Sequence, residues 1–129
     1  MARDNWQGYA RSIMRIVIGF LFTQHGCQKL FGMFGGLGGH AAPMWSELWV
    51  AGVLETFGGA LIVLGLFTRP VAFLLCGEMA AAFFRQHFPR GFWPIRNGGE
   101  LAVLYCFVYL YLAVAGGGPL SLDRRLRRK

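Results

Sequence analysis

Acidic residues are scarce in this chain: six Asp and Glu stand against 13 Lys and Arg, and charged residues fill only 15% of its 129 positions. Soluble domains carry about 25%, so the chain lacks the side chains to clothe a buried core in charge. The net charge of +7 raises the question of nucleic acid, but a nucleic-acid module needs that charged shell, and none is available. Cysteine is nearly as sparse. Cys27, Cys76 and Cys106 lie far apart in the sequence and form no C-x-x-C, haem-attachment or zinc-spaced set, which excludes a disulfide scaffold and a zinc or iron–sulfur centre and reads as small buried thiols. There is no Gly-rich phosphate loop, no Ser/His/Asp set and no metal-ligand spacing. Of the three histidines, His40 falls in a Gly-rich loop and reads as solvent-exposed. A haem between His25 and His87 is set aside, because their depths differ by about 10 Å when counted at 1.5 Å per residue.

Apolar residues are what is abundant, at 55% with 16% aromatic and a mean hydropathy of +0.44, which excludes disorder. They gather in four stretches, about 12–34, 48–67, 70–88 and 99–115, close to the 20 or so residues that cross the hydrocarbon of a bilayer. The first is no signal peptide: Asp4 sits in its leading region, its apolar centre is only Ile16 to Phe22, and no small-residue cleavage site follows. The second and fourth are apolar all round instead of along one stripe, which argues against a soluble bundle. A Gly-rich loop ending in Trp45 and Trp49, the tight turn Thr68-Arg69-Pro70, and a segment broken by Pro89, Gly91 and Pro94 connect them. The expected fold is therefore all-α, a four-helix transmembrane bundle forming a single domain over 1–129, multi-pass in a cell membrane. Eight basic residues (Arg3, Arg11, Arg69, Arg124, Arg125, Arg127, Arg128, Lys129) lie near the termini and the tight turn, against Arg90 and Arg96 on the other side. The positive-inside rule then makes both termini cytoplasmic. The basic tail 124–129 is placed to meet anionic headgroups, at about 1 kcal/mol per cation.

Ionisable residues at bilayer depth cost at least about 2.5–3.5 kcal/mol and so face the protein interior and find partners. Here they are Arg15, His25 and Lys29 in the first segment, Glu55 in the second, Glu78 and Arg85 in the third and Glu100 in the fourth. Arg11, Arg15, Ile18, Phe22, His25 and Lys29 step by three and four and share one helix face; Gly52, Glu55 and Gly59 do the same, with glycines admitting close backbone approach, as do Glu78, Ala82 and Arg85. Depth counting gathers His25, Lys29, Glu55, Glu100 and Arg85 into a polar pocket in the outer half of the membrane, above an Arg15–Glu78 pair that secures the bundle. One reading of the pocket is a set of charges that neutralise one another and fix register. The other is a binding site for a small polar or quinone-like molecule, with the helix aromatics Phe20, Phe22, Phe57, Phe73, Phe83, Phe84, Tyr105, Phe107, Tyr109 and Tyr111 available for stacking, His25 donating to a carbonyl, and Glu55 or Glu100 handling the proton. No side chain is assigned a catalytic role, no metal site is expected, and the chain carries no electron carrier of its own.

The stretches RIVIGFLFTQHGCQKLFG from Arg15 to Gly32, ETFGGALIVLGLFTRP from Glu55 to Pro70, FWPIRNGGELAVLY from Phe92 to Tyr105 and GGGPLSLD from Gly116 to Asp123 together resemble the DoxX family of small four-helix prokaryotic membrane proteins. The resemblance singles out Arg15, His25, Gly26, Lys29, Glu55, Gly59, Gly65, Thr68, Arg69, Asn97, Gly99, Glu100, Ser121 and Asp123. A Gly-Pro-Gly-like element is usual before the final Ser-x-Asp, where this chain has Gly-Gly-Gly-Pro. The resemblance implies membrane redox chemistry, of the kind performed by thiosulfate:quinone oxidoreductase or by oxidative-stress complexes, with this chain as a membrane subunit beside other redox or membrane proteins. A non-catalytic accessory subunit, docking through lipid-facing residues such as Val63, Leu104 and Leu112, and a small-molecule carrier are the alternatives.

Overall fold

A computed structural model describes residues 2–36 and 39–127, with the side chains of 2–4 excepted; the Arg3 side chain, Arg128 and Lys129, used in the charge count above, lie outside the described residues. The chain is helical throughout, with no strand among the described residues. Its elements are α1 (Ala2–Phe31), α2 (Glu47–Leu64), α3 (Thr68–Ala82), α4 (Pro94–Asn97), α5 (Glu100–Ala115) and α6 (Leu122–Arg127), with a π turn at Phe83–His87 and a 3-10 turn at Phe88–Arg90 continuing α3. Two of these depart from the sequence reading. Helix α1 starts about ten residues before its apolar stretch, since residues 2–11 are too polar to extend that stretch but contain no proline, and the basic tail winds into the short α6.

The chain divides into two units, residues 1–68 with 117–129, and residues 69–116. In the first, α1 and α2 form an antiparallel pair joined by a loop. Helix α1 ends at Gly32, whose φ of +72° suits glycine, and its Lys29 carbonyl is satisfied by the Ala42 amide at 2.7 Å, which ties the loop back to the helix. Ser46 starts α2: its hydroxyl accepts from the Trp49 amide at 3.2 Å and donates to the Pro43 carbonyl at 2.6 Å. Gly65 ends it in the left-handed region, with the Leu66 amide reaching Leu61 and the Gly65 amide reaching Ile62, a Schellman arrangement.

Small residues make the α1/α2 contact. A Cβ on Gly26 would collide with the Thr56 main chain, one on Gly59 with Thr23, and one on Gly52 would press on the Lys29 Cβ. The buried line of α2 is Gly52, Glu55, Gly59 and Ile62, the face read from the sequence. On α1 the buried line is Ser12, Arg15, Gly19, Phe22 and Gly26, turned from the expected stripe so that its smallest residues carry the close approach. His25 and Lys29 consequently sit half-buried at its edge.

In the second unit α3 and α5 also run antiparallel. A Cβ on Gly116 would meet the Arg69 guanidinium near one end, one on Gly99 would strike the Phe83 ring near the other, and between these the Cys76 and Cys106 sulfurs lie 3.7 Å apart. The buried residues of α5 are Ala102, Tyr105, Tyr109 and Leu112, with the two tyrosine rings stacked at 6.1 Å. Ala72, Leu75 and Met79 line the buried side of α3.

Polarity is inverted relative to a water-soluble protein. Arg15, Glu55 and Asn97 are at most 1% exposed, while Phe57, Leu104, Phe107 and Val114 are each at least 60% exposed. Such a surface is suited to lipid and costly in water. Helix α2 is long and apolar enough to cross a membrane by length and composition; α5 is apolar but shorter.

Candidate functional site

Two polar centres stand at opposite ends of the α1/α2 pair. The first is built on Arg15, which is fully buried. One guanidinium nitrogen donates to the Gly117 carbonyl at 2.8 Å and the other to the Leu120 carbonyl at 2.7 Å, with a longer contact to Val63 at 3.5 Å. Ser12 assists from one turn earlier, donating to the Gly117 carbonyl and accepting from the Leu120 amide, both at 3.1 Å. Asp123 closes the centre by accepting from the Phe67 amide at 2.7 Å and the Thr68 amide at 2.8 Å, so its carboxylate caps the otherwise open start of α3. A Cβ on Gly65 would strike Arg15 and Ser121, which makes glycine necessary there on space as well as on φ. Arg15, Gly65, Thr68, Ser121 and Asp123 thus form a clasp that fastens the C-terminal segment to α1 and α2. Three main-chain carbonyls, those of Val63, Gly117 and Leu120, accept the hydrogen bonds described for Arg15.

At the other end Lys29 and Glu55 form an ion pair, Nζ to Oε1 at 2.6 Å, with the Glu55 side chain 2% exposed and that of Lys29 19%. The glycines place it: Gly26 and Gly52, each touching the facing helix, bring α1 and α2 close enough for the acid to reach the ammonium. His25, one turn before Lys29 and half-buried, lies within electrostatic range of both. The trio holds a carboxylate, an ammonium with two further N–H donors, and an imidazole. It can donate hydrogen bonds to a carbonyl oxygen and exchange protons among its members. Trp45 and Trp49, with ring centroids 4.7 Å apart, lie just before the Ser46 cap and in the first turn of α2.

The remaining predicted site residues belong to the second unit. Glu100 opens α5 and Arg85 lies in the π turn, both exposed, while Glu78 is half-buried on α3. The buried polar group there is instead Asn97, which donates to the Gly91 carbonyl at 2.8 Å and accepts from the Gly99 amide at 2.8 Å. His87 donates from Nδ1 to the Asn97 carbonyl at 3.1 Å, since a carbonyl only accepts, and this fixes its neutral tautomer with the hydrogen on Nδ1. Asn97 therefore organises the 83–99 connection. The motif set named Asn97 but the residue pattern gave it no role, because an amide in a loop shows its partners only once the main chain has folded around it. Among the described residues no cluster of three or more metal-ligating side chains occurs. Of the three residues expected to face lipid or a partner, Leu112 is fully buried and Val63 packs toward Gly19, whereas Leu104 is exposed. An all-apolar helix gives no pattern from which to tell its inner face.

The DoxX family model matches residues 10–87. An uncharacterised Haemophilus influenzae protein is 42% identical over 98% of this chain and 97% of its own length. The Escherichia coli inner membrane protein YphA is 31% identical, covering 88% of this chain and 87% of YphA. A Bacillus subtilis protein, CatD, whose oxidoreductase label is itself unproven, is 28% identical over 86% of this chain and 82% of its own length. No solved structure matches. Arg15, Lys29 and Glu55 all fall within the matched residues, and the chain belongs to the DoxX family of membrane proteins.

Proposed function

We propose that this protein is the membrane subunit of a quinone-linked redox system, with the ring held at Lys29, His25 and Glu55. The observation that carries this is the ion pair itself: a carboxylate 2% exposed and an ammonium only 19% exposed are expensive to keep in an apolar setting. The fastening of the fold is already supplied by Arg15 and Asp123 at the far end. A quinone bound there supplies two-electron, two-proton redox chemistry. Lys29 and His25 donate to its carbonyl oxygens, and Glu55 holds the Lys29 ammonium in place and exchanges a proton with it. Trp45 and Trp49 flank the approach from the loop side. The oxidoreductase label of CatD agrees in class with this reading.

In the same proposal α1, α2, the α3 continuation and α5 all cross the membrane, with both termini cytoplasmic, the Arg15 clasp on the inner side and the ion pair in the outer half. Two cavities, of about 600 and 300 Å³, then open on the cytoplasmic side around Pro119 and Leu120, lined in part by Arg11, Arg124 and Arg125, and there they receive anionic headgroups. The alternative of an accessory subunit is favoured by one observation, the exposed apolar run Leu104, Phe107 and Val114 on α5, which a partner helix would cover as well as lipid does.

Native mass spectrometry of the detergent-extracted protein separates the two. One quinone per chain, lost on Glu55→Gln, is the expected result; a chain free of quinone but bound to a second protein would favour the accessory role.

A further inference from the structure

We propose that Cys76 and Cys106 are a redox-active dithiol that converts to a disulfide bridging α3 and α5, with a membrane-soluble quinone as the two-electron acceptor. Their sulfurs stand 3.7 Å apart, at contact but unbonded. A disulfide is about 2.0 Å long, so oxidation needs an approach of about 1.7 Å, within reach of small rotations about the two Cα–Cβ bonds. The hairpin is already registered on either side of the pair, by Gly116 against Arg69 and by Gly99 against Phe83, which keeps the two cysteines facing one another.

Their position along each helix also counts. Cys76 lies between buried Leu75 and exposed Gly77, and Cys106 between buried Tyr105 and exposed Phe107, so both thiols sit where the inner face meets the apolar outer face, half-buried. A Cβ added at Gly77 would meet nothing within 4 Å, which leaves an open notch beside Cys76. A reagent dissolved in lipid reaches this edge, and charged thiols and disulfides in water do not. In the reaction two S–H bonds break and one S–S bond forms; two electrons and two protons pass to the quinone, which leaves as quinol. The site shares no residue with the Lys29–Glu55 pair, and its readout is a count of thiols and not of bound quinone, so failure here is distinguishable from failure of the proposal above.

The test uses the full chain in vesicles of phosphatidylethanolamine and phosphatidylglycerol, treated with decylubiquinone, whose fully substituted ring blocks addition of sulfur to carbon. After denaturation and alkylation, free thiols are expected to fall from the three present in the sequence to one, Cys27. Peptide mapping is expected to link Cys76 with Cys106 within one chain, and dithiothreitol to restore all three thiols. Cys27→Ser is expected to retain the reaction, and Cys76→Ser and Cys106→Ser each to abolish it. Three thiols still open to alkylation, or a disulfide that joins two chains or includes Cys27, would overturn the inference. Should the Cys76 or Cys106 variants fail to fold, the wild-type and Cys27→Ser peptide maps decide the question by themselves.

Discussion

Lys29 and Glu55 differ in exposure, and that difference sets the cost of removing either. Lys29→Met leaves a carboxylate that is 2% exposed without its partner, a loss of about 3–5 kcal/mol. Glu55→Gln leaves an ammonium that still reaches solvent, and costs less. The double variant Lys29→Met/Glu55→Gln removes both charges together and is expected to be more stable than Lys29→Met alone, a coupling that thermal unfolding in detergent reads directly. Arg15→Lys loses the planar fork that spans the Gly117 and Leu120 carbonyls, with an expected loss of about 1.5–3 kcal/mol for each charge-assisted bond that is not replaced. Lys29 and Glu55 were both legible in the sequence as members of a polar set, because a buried acid demands a cation, but the spacing did not say which cation meets which acid. The acceptors of Arg15 were not legible, because a main-chain carbonyl has no residue identity to betray it.

Helix contacts here depend on glycines whose roles differ. Gly26 touches the Thr56 main chain, which cannot yield as a flexible side chain does, whereas a Cβ on Gly77 meets nothing. Gly26→Ala should therefore cost about 1–3 kcal/mol by forcing α1 from α2 and weaken the ion pair, while Gly77→Ala should be neutral or stabilising by up to about 1 kcal/mol, since it lowers the entropy lost on folding. The measurement is again thermal unfolding of each variant against the wild type. Asp123→Ala removes the acceptor for both the Phe67 and Thr68 amides, at about 0.5–2 kcal/mol, and should speed tryptic cleavage at Arg124 by freeing the C-terminal segment. The apolar stretches revealed where the long helices run because hydropathy reports burial or lipid contact. It could not reveal the polar first turns of α1, the π turn at Phe83–His87 or α6, whose formation depends on caps and on contacts remote in sequence.

For the molecule as a whole, composition alone foretold a surface dominated by exposed apolar side chains over buried Arg15, Glu55 and Asn97: a chain with so few charges has little else to present. The crossing count and the side of each terminus rest on charge placement, and fusion of a periplasm-active and a cytoplasm-active reporter to the C-terminus should give signal from the cytoplasmic one alone. The most direct test of the central claim uses the charge-neutral Lys29→Met/Glu55→Gln double variant, which keeps the fold while removing the site. Quinone titration of the purified proteins, followed by quenching of the fluorescence of Trp45 and Trp49, should give saturable binding in the wild type and at least about tenfold weaker binding, about 1.4 kcal/mol, in the double variant. Equal affinity in the two proteins would contradict the assignment of Lys29 and Glu55 as the quinone site.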